Sequence, residues 1–249
     1  MKIAILTDIH GNYPALSAVL SDIDSRGDIE HIYCLGDMIG IGPNSNEVLE
    51  EIMNRKDVTA VSGNHEEAVL KLLQGKDTLP GHEMIAEHHK WIGKQLKKEN
   101  IKFIENLPQT LEVEIEGQKI LITHYHMKKG EREIIDETPS GLKLDARYED
   151  SPYSLVCFGH HHPIHYFKVD QRIYLNPGAL GCNDYAIARY AVVEVQKRTM
   201  SVQLIGTTYD NKAFLESFEQ LNVPDREFMI KAFHGNQLER DFKDGNNIS

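Results

Sequence analysis

Three apolar runs, each closed by polar residues at its C-terminal end, constrain this chain more than anything else in it. Met1 to Thr7 runs into Asp8-Ile9-His10-Gly11, His31 to Leu35 into Gly36-Asp37, and Val58 to Ser62 into Gly63-Asn64-His65-Glu66. An apolar run bounded by a turn signal reads as a strand buried on both faces. Helical spacing fills the gaps between them. Leu16, Val19, Leu20 and Ile23 form one stripe behind Asn12 and Pro14, a cap and a first-turn proline. Val48, Leu49 and Ile52 form another within Glu47 to Asn54. This alternation predicts βαβ units and a parallel sheet. Open α/β sheets gather ligands at the carboxyl ends of their strands. Asp8 and His10 are two apart, and extended backbone would turn both to one side. From these residues alone, half of a metal site and an Asp-capped turn beside a surface histidine both remain open.

The second half is β-rich. Leu111 to Ile115 and Lys119 to Thr123 flank Glu116-Gly117, a hairpin signal, and the second strand ends in His124. Ser154 to Phe158 is apolar and ends in Gly159-His160-His161-His162. Ile164 to Val169, Arg172 to Leu175, Arg189 to Val195 and Ser201 to Ile205 continue as a meander. Parallel units followed by a meander predict two packed sheets with helices outside. His82 to Lys98 reads as one long helix, with His82, His88 and His89 on its polar face. The polar segment from Met127 to Ser151 is long for a connection and reads as a functional loop. The chain reads as one domain, 1–206, followed by a helical extension, 207–249. The extension holds two amphipathic segments, marked by Phe214, Leu215 and Phe218 and by Phe228, Ile230 and Phe233. Core cover is its expected role, against a lid or a homodimer surface. Gly245-Asn246-Asn247 is expected to fray.

Charge narrows the function. With 249 residues and a formal net charge of −11, the chain is a poor general nucleic-acid binder, because that affinity comes from cations on phosphates. A small phosphorylated substrate stays open, since bound divalent ions invert a local field. The three cysteines, Cys34, Cys157 and Cys182, are widely spaced and read as reduced, which predicts a cytoplasmic protein. No apolar stretch reaches the length of a membrane span.

Asp8, His10, Asp37, Asn64, His124, His160 and His162 each follow an apolar strand. Nitrogen and oxygen donors of this mix suit Mn²⁺, Fe or Zn²⁺ better than Ca²⁺. They are too many for one ion and about enough for two that share a carboxylate. In the His160-His161-His162 run, alternation predicts the outer pair as ligands and His161 as a bystander.

Taken in order, Asp8-x-His10, Gly36-Asp37, Gly63-Asn64-His65-Glu66, His124 and Gly159-His160-x-His162 resemble the calcineurin-like metallophosphoesterase superfamily. The Gly36 to Pro43 loop and Asn176-Pro177-Gly178 resemble its small, single-domain bacterial branch. The resemblance spans Met1 to Val195. It implies a four-layer αββα sandwich, two mixed sheets flanked by helices, with a centre of two divalent ions, Mn²⁺ foremost, then Fe or Zn²⁺. Asp8, His10 and His162 would hold one ion and Asn64, His124 and His160 the other, with Asp37 bridging. His65 would assist the leaving oxygen, and Glu66 would orient its neighbours. The implied reaction is hydrolysis of phosphomonoesters, phosphodiesters or dinucleoside polyphosphates by a metal-bridging hydroxide. A metal-free binding scaffold on the same fold is the alternative. The chain departs from the branch at Tyr125-His126-Met127, at His161 and at Cys182-Asn183-Asp184. Tyr125, His126, Lys128 and Arg132 are candidates for substrate contact.

Overall fold

The structure, a computed structural model, describes residues 1–238. The expected fraying at Gly245 to Asn247 therefore lies outside the described residues. In chain order the elements are β1 (Lys2–Leu6), α1 (Tyr13–Arg26), β2 (His31–Cys34), α2 (Ser45–Asn54), β3 (Val58–Ala60), α3 (Asn64–Leu73), a 3₁₀ turn (Glu83–Ile85), α4 (Ala86–Gln95) and α5 (Lys98–Glu105). There follow β4 (Thr110–Ile115), β5 (Gln118–Thr123), β6 (Met127–Lys128), β7 (Glu131–Arg132), α6 (Gly141–Arg147), β8 (Leu155–Cys157), β9 (His165–Val169) and β10 (Arg172–Asn176). The series ends with β11 (Ile187–Val195), β12 (Met200–Thr208), α7 (Lys212–Gln220) and α8 (Arg226–Phe233).

Two five-stranded sheets form, in the orders β12-β11-β1-β2-β3 and β4-β5-β8-β10-β9. β1, β2 and β3 pair in parallel, as the alternating pattern predicts, and β11 returns antiparallel to β1. The second sheet is not the simple meander that the short turns suggested. β5, β8 and β10 run parallel, because the chain crosses over between them and only the outer pairs β4·β5 and β9·β10 are hairpins.

Period-two alternation splits each strand between two cores. Ile3 and Ile5 join Tyr33, Ile120, Ile122, Cys157 and Leu175 between the sheets. Ala4 and Leu6 face the opposite way, onto Leu16, Val19, Leu49 and Ile92 of the outer helices. On the far side of the second sheet, Leu144 of α6 covers Leu121, Val156 and Tyr174. These are the four layers of an αββα sandwich. Phe214, Leu215 and Phe218 of α7 pack with Ile41, Ala179, Cys182 and Met229, so the C-terminal helices bury apolar surface against the loops at the strand ends. Among the described residues no helix is long and apolar enough to cross a membrane.

Two expectations need correction. The helix expected over His82 to Lys98 is broken at Leu96 and Lys97, which are extended. Asn46 of α2 holds the break: its amide donates to Gln95 O at 2.9 Å and its oxygen accepts Lys97 N–H at 3.0 Å. The stretch from Met127 to Ser151 is not a structureless loop, for it forms the β6·β7 hairpin and helix α6, with Ser140 accepting Lys143 N–H as cap.

Candidate metal centre

The strand-end residues do converge, though not as strand alternation would bring them together. Asp8, His10, Asp37, His160 and His162 have φ of 54°, 51°, 50°, 73° and 59°. The backbone at these positions is left-handed, not extended. Each such non-glycine residue costs on the order of 1 kcal/mol or more, and strain of this kind concentrates at functional sites. Sharp turns just past the strands, rather than i, i+2 alternation, aim these side chains inward. Close backbone approach finishes the arrangement. A Cβ at Gly63 would sit 2.1 Å from Asp37 Oδ1, and one at Gly159 would sit 2.0 Å from Thr7 Oγ1 and 2.9 Å from Asp8 Oδ2.

Asp8 is fully buried. Its Oδ2 accepts Thr7 O–H at 2.7 Å and His160 N–H at 3.0 Å. Among the described residues its Oδ1 has no hydrogen-bond partner, and it lies 3.6 Å from His10 Nε2 and 3.8 Å from His162 Nε2. Those two imidazole nitrogens face each other at 2.9 Å. On the other side, Asn64 Oδ1 lies 2.9 Å from His124 Nε2 and 2.8 Å from His160 Nδ1. Asp37 stands between the groups: its Oδ1 accepts His65 N–H at 2.8 Å, and its Oδ2 is 3.2 Å from His124 Nε2 and 4.0 Å from His10 Nε2. His10 Nδ1 and His124 Nδ1 donate to the carbonyls of Ile39 and Leu35 at 3.3 and 2.9 Å, leaving each Nε2 to the centre. Backbone clamps of this kind commonly orient metal-binding histidines.

Burial pushes the Asp37 carboxyl up, but His124 and His65 outweigh it and hold it well below the usual carboxylate range. For Asp8, burial is likewise overcome by His10, His124 and His162. His124 is raised, because the pull of Asp37 exceeds the effect of burial. Burial drives His160 down to about 3 and His162 down to about 4. Two anionic carboxylates thus stand beside the neutral imidazoles of His160 and His162, with one buried carboxylate oxygen unpartnered among the described residues. That donor set fits divalent cations, which take neutral imidazole and ionised carboxylate.

Glu66 does not face the centre. Its carboxylate accepts four backbone N–H groups: Met38 at 2.8 Å and Ile39 at 3.1 Å on Oε1, Asp37 at 2.9 Å and Gly63 at 2.7 Å on Oε2. It locks the Asp37 loop and, from the third position of α3, caps the backbone N–H of Gly63, the residue just before that helix. Asn176 does the same for the histidine loop, donating to Gly159 O at 2.9 Å and accepting Gly178 N–H at 2.9 Å.

His65 lines a cavity of about 360 Å³ with Asp37, Asn64, His160, His162 and Phe233. His82 and His89, expected on a polar helix face, belong here instead. His89 Nε2 is 2.9 Å from His65 Nδ1, and His82 stacks on His89 with ring centroids 5.3 Å apart. His88 and His89 are fully buried. His82 precedes the 3₁₀ turn and His89 lies on α4, so they share no single helix, and the partner that joins them, His65, comes from α3. His161 lines the cavity with its ring tied to Asp136 O at 3.0 Å.

The remaining candidates are scattered. Tyr125 is buried and accepts Asp136 N–H at 2.8 Å, so its ring serves packing rather than an open stacking platform. His126 turns from the centre to Tyr148 Oη at 2.9 Å and packs on Phe158. Arg132 pairs with Glu67 at 3.3 Å and lines a second cavity of about 580 Å³ that reaches Asn64, His82 and His160. Lys128 lies farther out, on a shallow cavity shared with Lys129 and Arg147.

A two-sheet sandwich with a buried histidine–carboxylate cluster at its strand ends defines a metal-dependent phosphoesterase. The calcineurin-like phosphoesterase superfamily domain matches residues 1–198, and the chain belongs to that superfamily. An uncharacterised protein of Methanocaldococcus jannaschii is 31% identical over 242 residues, covering 90% of this chain and 94% of its own. A hypothetical protein of Pyrococcus horikoshii OT3 superposes with a TM-score of 0.79 at 21% identity, over 94% of this chain and 98% of that one. A metallophosphoesterase of Sphaerobacter thermophilus superposes with a TM-score of 0.69 at 23% identity, over 92% of this chain and 97% of that one. The last two likenesses concern the fold.

Proposed function

We propose that the chain is a dinuclear-metal phosphoesterase acting on small phosphorylated substrates. The observation that carries this reading is the division of the cluster into two donor groups with Asp37 facing both. Asp8, His10 and His162 would hold one divalent ion, and Asn64, His124 and His160 the other. When bound, such ions supply an activated water and neutralise the charge that builds on phosphorus.

The chain's own residues do the rest. His65 is driven well below its usual range by burial, so it is a neutral imidazole at pH 7. If His89 donates from Nε2, His65 carries its own proton on Nε2 and offers it to the departing oxygen. That tautomer leaves His89 Nδ1 an acceptor with no partner among the described residues, which costs less than an unpaired donor. Arg132, at the wall of the larger cavity, is placed to meet a distal phosphate or an ester group. Its partner Glu67 and the neighbours Glu131 and Glu133 keep that wall from becoming a polyanion track. This favours a small ester or nucleotide over a nucleic-acid polymer. The three buried free cysteines agree with a reducing, cytoplasmic setting.

The test is Mn²⁺-dependent hydrolysis of an aryl monoester, an aryl diester and a diadenosine polyphosphate by the wild type and Asp37→Asn. The variant is expected to fold and to lose turnover on whichever substrate the wild type cleaves. Undiminished turnover in the variant would overturn the bridging role.

A further inference from the structure

Cys182 lies outside the donor set considered so far, yet its thiol reaches the same place. The loop that carries it is pinned to the first strand end. Leu180 N–H donates to Thr7 O at 2.9 Å and Gly181 N–H to Asp8 O at 3.0 Å. Asn12 donates to Gly181 O at 2.8 Å. A Cβ at Gly181 would lie 1.8 Å from Ile9 O, so the loop rests directly on the turn between Asp8 and His10. Cys182 is buried, and its sulfur and ring nitrogens of His10 and His162 all fall within 4.8 Å of one another. The same two imidazoles flank Asp8 Oδ1, the fully buried carboxylate oxygen that no donor among the described residues satisfies.

We propose that Cys182 is a thiolate donor to the ion held by Asp8, His10 and His162, and that it tilts this position towards zinc or ferrous iron and away from manganese. The inference rests on the dinuclear reading above. A coordinating thiol gives up its proton to solvent and binds as thiolate, with the S–H bond broken and a metal–sulfur bond formed. Soft sulfur selects zinc and iron over manganese, which prefers oxygen. The competing role is packing, since Cys182 also touches the apolar group that includes Ile41 and Phe214, and a buried thiol makes a good small hydrophobe.

Cobalt(II) titration of the full chain separates the two roles. Visible absorption counts the ions bound, and a near-ultraviolet sulfur-to-cobalt band reports thiolate ligation. The wild type should show both. Cys182→Ser should keep the ions and lose the band, and its preference for zinc over manganese should fall by about tenfold or more, the loss that removing even an outer partner of a site can bring. Should the variant not fold, X-ray absorption of the zinc-loaded wild type should show a sulfur at about 2.3 Å. Full cobalt uptake without the band, or a zinc site without sulfur, overturns the role of Cys182 and leaves the dinuclear reading standing. No uptake at all overturns both.

Discussion

Glu66→Gln tests how the centre is held together. The carboxylate accepts two backbone N–H groups on each oxygen, from Met38 and Ile39 and from Asp37 and Gly63, and the residue is fully buried. Glutamine is nearly isosteric but keeps one acceptor oxygen. Its NH₂ group must face the other two donors, which are then unsatisfied and opposed by like dipoles. A buried donor left unpaired costs about 1–3 kcal/mol. Relief of burying the anion offsets part of this, because burial and the nearby Asp37 charge already raise the Glu66 pKa. The expected loss is about 3 kcal/mol, a large share of the stability of an ordinary domain. Since two of the donors flank Asp37, the loop that presents its carboxylate should slacken as well. Manganese affinity should fall by about 10- to 100-fold, as when other partners that orient ligands are removed. Urea unfolding of the ion-free protein gives the first quantity and calorimetric titration with Mn²⁺ the second. A midpoint and an affinity both equal to wild type would refute the claim that Glu66 fixes the Asp37 loop.

His65→Ala should slow turnover by about 10²- to 10⁴-fold, the usual contribution of a proton donor, with the bound ions retained in elemental analysis. Loss of the ions would contradict its placement outside the donor groups. Acid should destabilise the ion-free protein through its buried histidines. Burial drives His88 down to about 4 and His234 to about 3, against 6.5 for a free imidazole. Below pH 6.5 the unfolded chain takes up protons that the folded chain refuses, so stability is full above 6.5 and is lost as pH falls towards 4 and 3. By pH 5 each histidine contributes a loss of about 2 kcal/mol. Urea midpoints at pH 7 and pH 5 measure it, and His234→Phe should reduce the slope by about one proton.

What was legible follows from the range of the interactions involved. β1, β2 and β3 carry their signal locally, in apolar runs stopped by Asp8, Gly36 and Gly63, and they fold as read. The strand-end polar groups were visible for the same reason. The left-handed turns at Asp8, His10, His160 and His162 were not, because none of these positions is itself a glycine and a polar residue there reads equally well as extended chain. The break at Leu96 was hidden because Asn46, fifty residues away, stabilises it. His82 and His89 looked like a polar face because their partner, His65, comes from another helix. In Met127 to Ser151, two-residue strands and a seven-residue helix are too short to impose a period on the sequence.

The last described helix adds a consequence of its own. Ala232 and Phe233 of α8 line the cavity, and the Phe233 ring lies 5.7 Å from that of His162. Part of the cavity wall thus comes from a piece of chain that follows the sandwich and lies apart from the proposed donors. Trimming or lengthening that piece offers a way to change which molecules are admitted while the interior stays as it is.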